Sequence, residues 1–409
     1  MRIFLILLFS YCNIIYSQIQ NLPNIYRLNN GKKIVNTKEW FEIRRPEILS
    51  TLEKEIYGPF PSFNNFSVSF TQIENPSWST RYQAMREQVS VALTNKNGQV
   101  RMINLLLYYP KNKSNIPVFV NLNWVGNQSV TTEKEVKLCN AKIFEYQPEE
   151  KGIINYKATE KSRGVHQSRL PIDSIIKAGF GIITACYQDI CPDINEDYRK
   201  IVASFFEVNP DSSGAISLWA FQHSLLVDYA IKRNNIFDAN NILVVGHSRL
   251  GKASLWAAAN ESRIKMVFSN ESGCTGASLS KHNLGESIKQ INTSFPHWFK
   301  LRYKLYNDKD TLLPFDQHFL LATIAPRYLY VSSAREDQYA DPESEYLATK
   351  EAEKLYQFLG FKTDLPTKYD TQLKTSKRTK IGYHVREGKH DLTPLDWKYF
   401  IDFSKANIK

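Results

Sequence analysis

Apolar positions are distributed in two ways along the chain. Up to about residue 110 they come in short runs that alternate with polar positions. Gln88–Leu93 and Arg101–Tyr109 are such runs, the pattern of half-buried antiparallel strands, and the patches Gly58-Pro59-Phe60-Pro61 and Asn75-Pro76-Ser77 read as turns between them. From about residue 115 the apolar runs become continuous: Val118–Asn121, Gly181–Ala185, Ile242–Val245, Met266–Phe268 and Tyr328–Ser332, with a further strand at Gly382–Arg386. Helical stretches at 172–178, 215–232, 251–260, 342–358 and 396–405 alternate with them. Strands apolar on both faces and interleaved with helices predict an α/β fold, a three-layer sandwich around a mostly parallel sheet with an antiparallel N-terminal part. No internal repeat, low-complexity tract or flexible linker interrupts the pattern.

The N-terminus has a different pattern. Arg2 precedes the apolar run Ile3–Phe9, and a mixed stretch ends in Tyr16-Ser17-Gln18. A basic start, a short apolar region and a small residue before the cut read as a signal peptide over 1–17, leaving one domain over 18–409 and a secreted or periplasmic protein. The run is too short to span a bilayer, and no later stretch approaches about 18 uninterrupted apolar residues, so no transmembrane segment is expected. Cys12 fits a lipid anchor less well, because Tyr11 stands where a small residue belongs.

Composition narrows the class. With 43% hydrophobic and 23% charged residues over 409 positions, disordered, collagen-like and coiled-coil readings are excluded for the bulk of the chain. Lys and Arg number 52 against 41 Asp and Glu, a formal charge of +11 that suits an anionic partner. The richest basic patch, Lys374–Lys380, reads as a solvated loop, and no nucleic-acid motif is present, so no nucleic-acid partner is expected. Cys139, Cys186, Cys191 and Cys274 follow the leader; their spacing fits no zinc pattern and leaves a Cys186–Cys191 bridge open.

The chemistry concentrates around Ser248. In Asn241-Ile-Leu-Val-Val-Gly-His-Ser-Arg-Leu-Gly-Lys-Ala-Ser-Leu-Trp256 a buried strand runs into a glycine turn carrying Ser248, and a helix follows at once. This is the context of a nucleophile elbow, with helix N–H groups available to an oxyanion, although Gly251 comes one residue late for G-x-S-x-G. A phosphate-binding loop would need Ser or Thr where Ala253 stands, and a serine that merely caps the helix is the plain alternative. A nucleophilic serine needs a base and the base an orienting acid. His390, in Glu387-Gly388-Lys389-His390-Asp391, comes last in chain order as this fold requires. His247 adjoins the nucleophile and is poorly placed to reach it, His384 is inside a strand, and His282, His297 and His318 fall in loops. Two acids follow successive strands, Glu271 and Asp337; chain order in the α/β-hydrolase fold favours Asp337, while Asp341 reads as the N-cap of the 342–358 helix.

Gly246-His247-Ser248-Arg249-Leu250-Gly251-Lys252 resembles the serine motif of the glucuronoyl esterases, carbohydrate esterase family 15, and of their bacterial members in particular. The resemblance continues through Leu122–Asn127, Ser269–Gly273, Gly285-Glu286, Asn292–Phe299, Leu313–His318, Ile324–Arg327, Ala340-Asp341-Pro342 and Gly388–Thr393, covering roughly residues 100–405 in order. It implies an α/β-hydrolase fold, with Ser248 as nucleophile, His390 as base, Glu271 as the acid of many members and Asp337 as the alternative acid of bacterial ones, and it favours Glu271 as the acid whose loss costs more. Arg249 would help to bind the oxyanion, and Lys252 and Glu286 would hold sugar hydroxyls. Tyr339 stands where the family usually has a tryptophan against the sugar. Arg249 and Lys252 are cations at a helix N-terminus, where they oppose the dipole, which speaks for function over surface decoration.

The implied reaction is hydrolysis of the ester between a (4-O-methyl-)glucuronic acid of glucuronoxylan and a lignin alcohol, by a monomer needing no metal or organic cofactor. An acetylxylan or feruloyl esterase on the same fold is the nearest alternative. A catalytically silent carbohydrate-binding protein is another, and the intact Ser248, His390 and acids speak against it.

Overall fold

The computed structural model describes residues 22–282 and 284–408; the expected leader over 1–17, with Cys12, lies outside them. Nine strands form one sheet: β1 (Phe66–Ser79), β2 (Ala84–Asn95), β3 (Val100–Tyr109), β4 (Ile116–Asn123), β5 (Gly181–Cys186), β6 (Phe237–His247), β7 (Ile264–Asn270), β8 (Tyr328–Ala334) and β9 (Ile381–Arg386). Their order is β1-β2-β3-β5-β4-β6-β7-β8-β9. The first three pair antiparallel, β3 pairs antiparallel with β5, and from β5 to β9 every pair is parallel. The change from alternating to continuous apolar runs therefore marks the change from antiparallel to parallel pairing, because the later strands are covered on both faces.

The period of two along β6 shows how the cover divides. Ile242 and Val244 join the core that contains Trp219 of α2 (Ala215–Lys232), Trp256 of α3 (Arg249–Asn260) and Tyr346 of α4 (Pro342–Phe358). Leu243 and Val245 join a second core on the opposite face, with Ile175 of α1 (Ile172–Lys177) and Trp397 of α5 (Pro394–Asn407). Since β4 to β9 run parallel, their C-terminal ends share one edge, where Ser248, Glu271, Asp337 and His390 follow β6, β7, β8 and β9 in turn.

Two expectations are corrected, and the open Cys186–Cys191 pairing is resolved. The Asn75-Pro76-Ser77 patch is not a turn: it lies inside β1, where the register with β2 shifts between Gln72 and Glu74 and again between Glu74 and Ser77. β1 is an edge strand, and an edge with bulges tolerates a residue that cannot donate to the ladder. The Ser248 helix begins at Arg249 rather than at 251, directly after the nucleophile candidate. No Cys186–Cys191 bridge forms. All four cysteines are buried thiols, with the Cys191 thiol on the Pro192 carbonyl and the Cys186 thiol on the Trp124 carbonyl, close to Cys139. No helix among the described residues is long and apolar enough to cross a membrane.

Candidate active site

Ser248 sits between β6 and α3 with φ 56° and ψ −127°, a strained conformation for a residue with a side chain. The turn is locked from below. A Cβ on Gly246 would lie 2.1 Å from the Leu250 carbonyl oxygen, and the Ser248 N–H donates to the Asn270 carbonyl at 2.9 Å. Glycine at 246 is thus required by close approach, and it lets the next strand hold the elbow. The Gly251 and Lys252 N–H groups both donate to the Ser248 carbonyl, at 2.8 and 3.1 Å, which leaves those of Arg249 and Leu250 without an intrahelical acceptor.

Ser248 and His390 line one pocket of about 300 Å³, with Arg249, Lys252, Glu271, Glu286, Asp337 and Tyr339. The structure thus brings every sequence-derived site residue to one cavity. No hydrogen bond joins Ser248 to His390 among the described residues; such contacts often tighten only with substrate. His390 Nδ1 is 2.6 Å from Asp337 Oδ2 and 3.3 Å from Glu271 Oε2, so both acids face the same nitrogen. The rest of Glu271 is committed: Oε1 accepts from Arg386 Nη2 at 2.6 Å, and Oε2 accepts the Asp391 N–H at 3.0 Å. Arg386 in turn donates to Asp396, which also binds His384.

The charges follow from this wiring. Burial opposes an imidazolium at His390, but the bonds to Asp337 and Glu271 more than offset it and hold the ring above the usual imidazole range. Burial also works against the Asp337 carboxylate, and its bond to His390 nonetheless holds it below the usual range. Burial pushes Glu271 up to about 7 against the pull of His390 and Arg386. His247, with its ring 4.5 Å from that of His390 and its Nδ1 on Asn270, is driven well below the usual range by burial and by that neighbour.

Arg249 is held by residues the sequence did not single out. Its Nη1 pairs with Asp193, and its Nη2 donates to the Tyr146 hydroxyl at 3.2 Å. The guanidinium lies 4.6 Å from the Trp298 ring and 5.1 Å from that of Trp124. Asp193 accepts from His297 and Trp298, both at 2.8 Å, and from the Tyr187 hydroxyl at 2.9 Å. Burial disfavours its charge, but Arg249 and His297 prevail and hold Asp193 far below the usual carboxylate range. What remains free is the Arg249 Nε–H, buried without a protein partner in a residue that lines the pocket. The His297 loop seen in the sequence therefore serves this clamp. Arg386 and Asp193 carried no sequence signal, since their partners are 115 and 56 residues away.

At the other end of the pocket Lys252 is 4% and Glu286 8% exposed. Lys252 Nζ donates to the Ser272 carbonyl, and among the described residues neither side chain forms an ion pair. Glu286 Oε1 is buried without a partner. Burial lowers Lys252 and raises Glu286, and the attraction between them only partly offsets each shift. Tyr339 is 56% exposed and stands at the rim, where its carbonyl accepts the Glu286 N–H.

The strand–elbow–helix with an imidazole and two carboxylates on one sheet edge is the arrangement of a serine hydrolase, and comparison with known proteins specifies which kind. A sequence profile for glucuronyl esterases of fungi matches residues 153–360. Carbohydrate esterase MZ0003, from an unknown prokaryotic organism, is 38% identical over 95% of this chain and 89% of its own. The chain belongs to the glucuronoyl esterase family. A promiscuous esterase of carbohydrate esterase family 15 from a marine bacterial metagenome superposes with a TM-score of 0.87 at 37% identity, over 95% of this chain and 97% of that one. The glucuronoyl esterase from Solibacter usitatus gives 0.85 at 33% identity, over 95% and 98%. As a member of this family the protein is a carboxylic ester hydrolase with the α/β-hydrolase fold.

Proposed function

We propose that this glucuronoyl esterase cleaves the ester between a (4-O-methyl-)glucuronic acid of glucuronoxylan and a lignin alcohol, through Ser248, His390 and the acid pair Asp337 and Glu271. The observation that carries the reading is the pair of buried, mutually unpaired charges at Lys252 and Glu286, in the pocket that also holds Ser248. A buried charge without a partner is costly, and sugar hydroxyls supply both a donor for Glu286 and an acceptor for Lys252. A simple acetyl ester would leave Glu286 Oε1 without a donor and Lys252 with the Ser272 carbonyl alone, which disfavours the acetylxylan esterase alternative.

The chemistry follows from the wiring. His390 takes the Ser248 hydroxyl proton on Nε2 while Asp337 and Glu271 orient Nδ1–H and stabilise the imidazolium. The serine oxygen attacks the uronoyl carbonyl, and the oxyanion meets the first N–H groups of α3 and the free Arg249 Nε–H. Collapse of the tetrahedral species expels the alcohol, which takes the proton from His390. Water, activated by the same base, then releases the uronate and regenerates Ser248. Asp193 and the aromatic rings keep Arg249 in place throughout, so the donor does not have to be organised during the reaction. The protein acts as a monomer outside the cytoplasm, in keeping with the apolar leader pattern over 1–17.

The test is release of uronate from benzyl glucuronate, run beside hydrolysis of a simple acetyl ester. A kcat/KM preference for the uronate ester of at least about tenfold, the worth of one charged hydrogen bond, supports the reading. Preference for the acetyl ester overturns it.

A further inference from the structure

A second cavity lies apart from the catalytic pocket. It is an open groove of about 1020 Å³ along α1, on the flank of the sandwich formed by β1, β2, β3 and α1. It shares no residue with the catalytic pocket. Its lining includes two aromatic rings, each with a cation beside it. Trp78, near the end of β1, is 42% exposed with the Lys111 ammonium 5.3 Å from its ring. Tyr82, in the turn before β2, has the Arg81 guanidinium 5.4 Å from its ring. Arg81 and Lys111 form no ion pair with a carboxylate among the described residues, and Arg81 Nη2 donates to Gln167 Oε1 at 3.1 Å. Lys177 adds a third cation and is countered by Asp173 at 3.6 Å. Aromatic faces, amides and uncompensated cations in one elongated groove make up a surface for flat, hydroxylated, anionic rings.

The groove also has a direction. Its lining reaches Gln167 and Pro394. Between these and the catalytic pocket stands Arg169, whose Nε donates to Asp391 at 2.7 Å, one residue after His390. The guanidinium of Arg169 lies 5.6 Å from the Trp124 ring, which itself covers Arg249. A chain of contacts through Arg169 and Trp124 therefore links the groove side of the sheet to Asp391 and Arg249.

We propose that the α1 groove is a second carbohydrate-binding site, which holds another uronate-bearing stretch of the xylan chain whose ester occupies the catalytic pocket. This rests on the substrate proposed above. Xylose rings stack on Trp78 and Tyr82, and carboxylates of unesterified branches meet Arg81, Lys111 and Lys177. Anchoring one stretch raises the effective concentration of the esterified branch at Ser248 without any change in the catalytic groups. Three cations against one carboxylate, interleaved with aromatic faces, suit a sparsely charged polysaccharide better than a nucleic acid, which needs a denser basic track.

The experiment is affinity electrophoresis of the full protein through gels containing glucuronoxylan, or xylan stripped of its uronic acid. Glucuronoxylan should retard the protein more than stripped xylan does. Trp78→Ala combined with Lys111→Ala should weaken the retardation roughly tenfold, as expected for loss of one tethering contact, while kcat/KM on benzyl glucuronate and the melting temperature stay unchanged. Lys111→Glu with Lys177→Glu, both exposed, provides a second variant should Trp78→Ala disturb β1. Unaltered retardation of the variants, or equal retardation by stripped xylan, would overturn the inference. Retardation lost in the groove variants of a protein that does not cleave benzyl glucuronate would leave the groove standing and remove the proposed substrate instead.

Discussion

The two ends of the catalytic pocket handle charge in opposite ways. At the imidazole end every charge has a partner of this chain: His390 faces Asp337 and Glu271, Glu271 faces Arg386, and Arg386 faces Asp396, which also holds His384. At the sugar end Lys252 has only a backbone carbonyl and one oxygen of Glu286 has nothing. Arg249 lies between the ends, paired by Asp193 yet with a free Nε. The difference separates two tasks. A proton relay must keep its geometry through the reaction, so it is closed on itself. A recognition surface must gain on binding, so part of its cost is left uncompensated until the ligand arrives.

The comparison can be broken most severely at the relay. Ser248→Ala and His390→Ala should each lower kcat by about 10⁴–10⁶-fold with the fold intact, since nucleophile and base act as a unit. Substantial turnover by either purified variant would remove the assignment. The acids come next. Asp337 makes the shorter bond to His390, so Asp337→Asn should cost about 10–100-fold, the worth of one charge-assisted hydrogen bond. The same substitution at Glu271, Glu271→Gln, should cost less, because Arg386 has already drawn on that carboxylate. The double variant should fall to the level of His390→Ala. A single variant already at that level would show that one acid acts alone.

A subtler change concerns pH. The base must be neutral to act, and the two carboxylates hold His390 above the usual imidazole range. Activity should therefore rise with pH through that raised value. Removing one negative neighbour in Asp337→Asn lowers the imidazole pKa, so the acid limb of kcat/KM should move to lower pH while the plateau drops. A limb that moves up, or does not move, would separate Asp337 from His390.

These tests rest on residues that were visible in the sequence to very different degrees. The parallel strands were legible because burial on both faces leaves only apolar residues, as in Ile242–Val245. β1 was not, because an edge strand with Pro76 at a bulge carries the composition of a turn. Ser248 was legible from three neighbours in the chain, Gly246, Gly251 and the apolar strand before them. Arg386 and Asp193 were not, since a clamp made across 115 or 56 residues leaves no local trace. The open choice between Glu271 and Asp337 was likewise a question of distance, and the folded chain places both on one nitrogen. The Cys186–Cys191 spacing left a bridge open, and in the folded chain both are separate thiols, each on a backbone carbonyl.

At the sugar end the expected effect is a difference between two substrates rather than a general loss of turnover. The measurement is kcat/KM of Lys252→Met and Glu286→Gln on benzyl glucuronate and on a simple acetyl ester, side by side. Each variant should lose about 1–3 kcal/mol on the uronate ester, the range for a hydrogen bond to a charged group, and nothing comparable on the acetyl ester. Equal losses on both substrates would contradict the account, because Lys252 and Glu286 would then be supporting the fold of the pocket rather than reading the sugar.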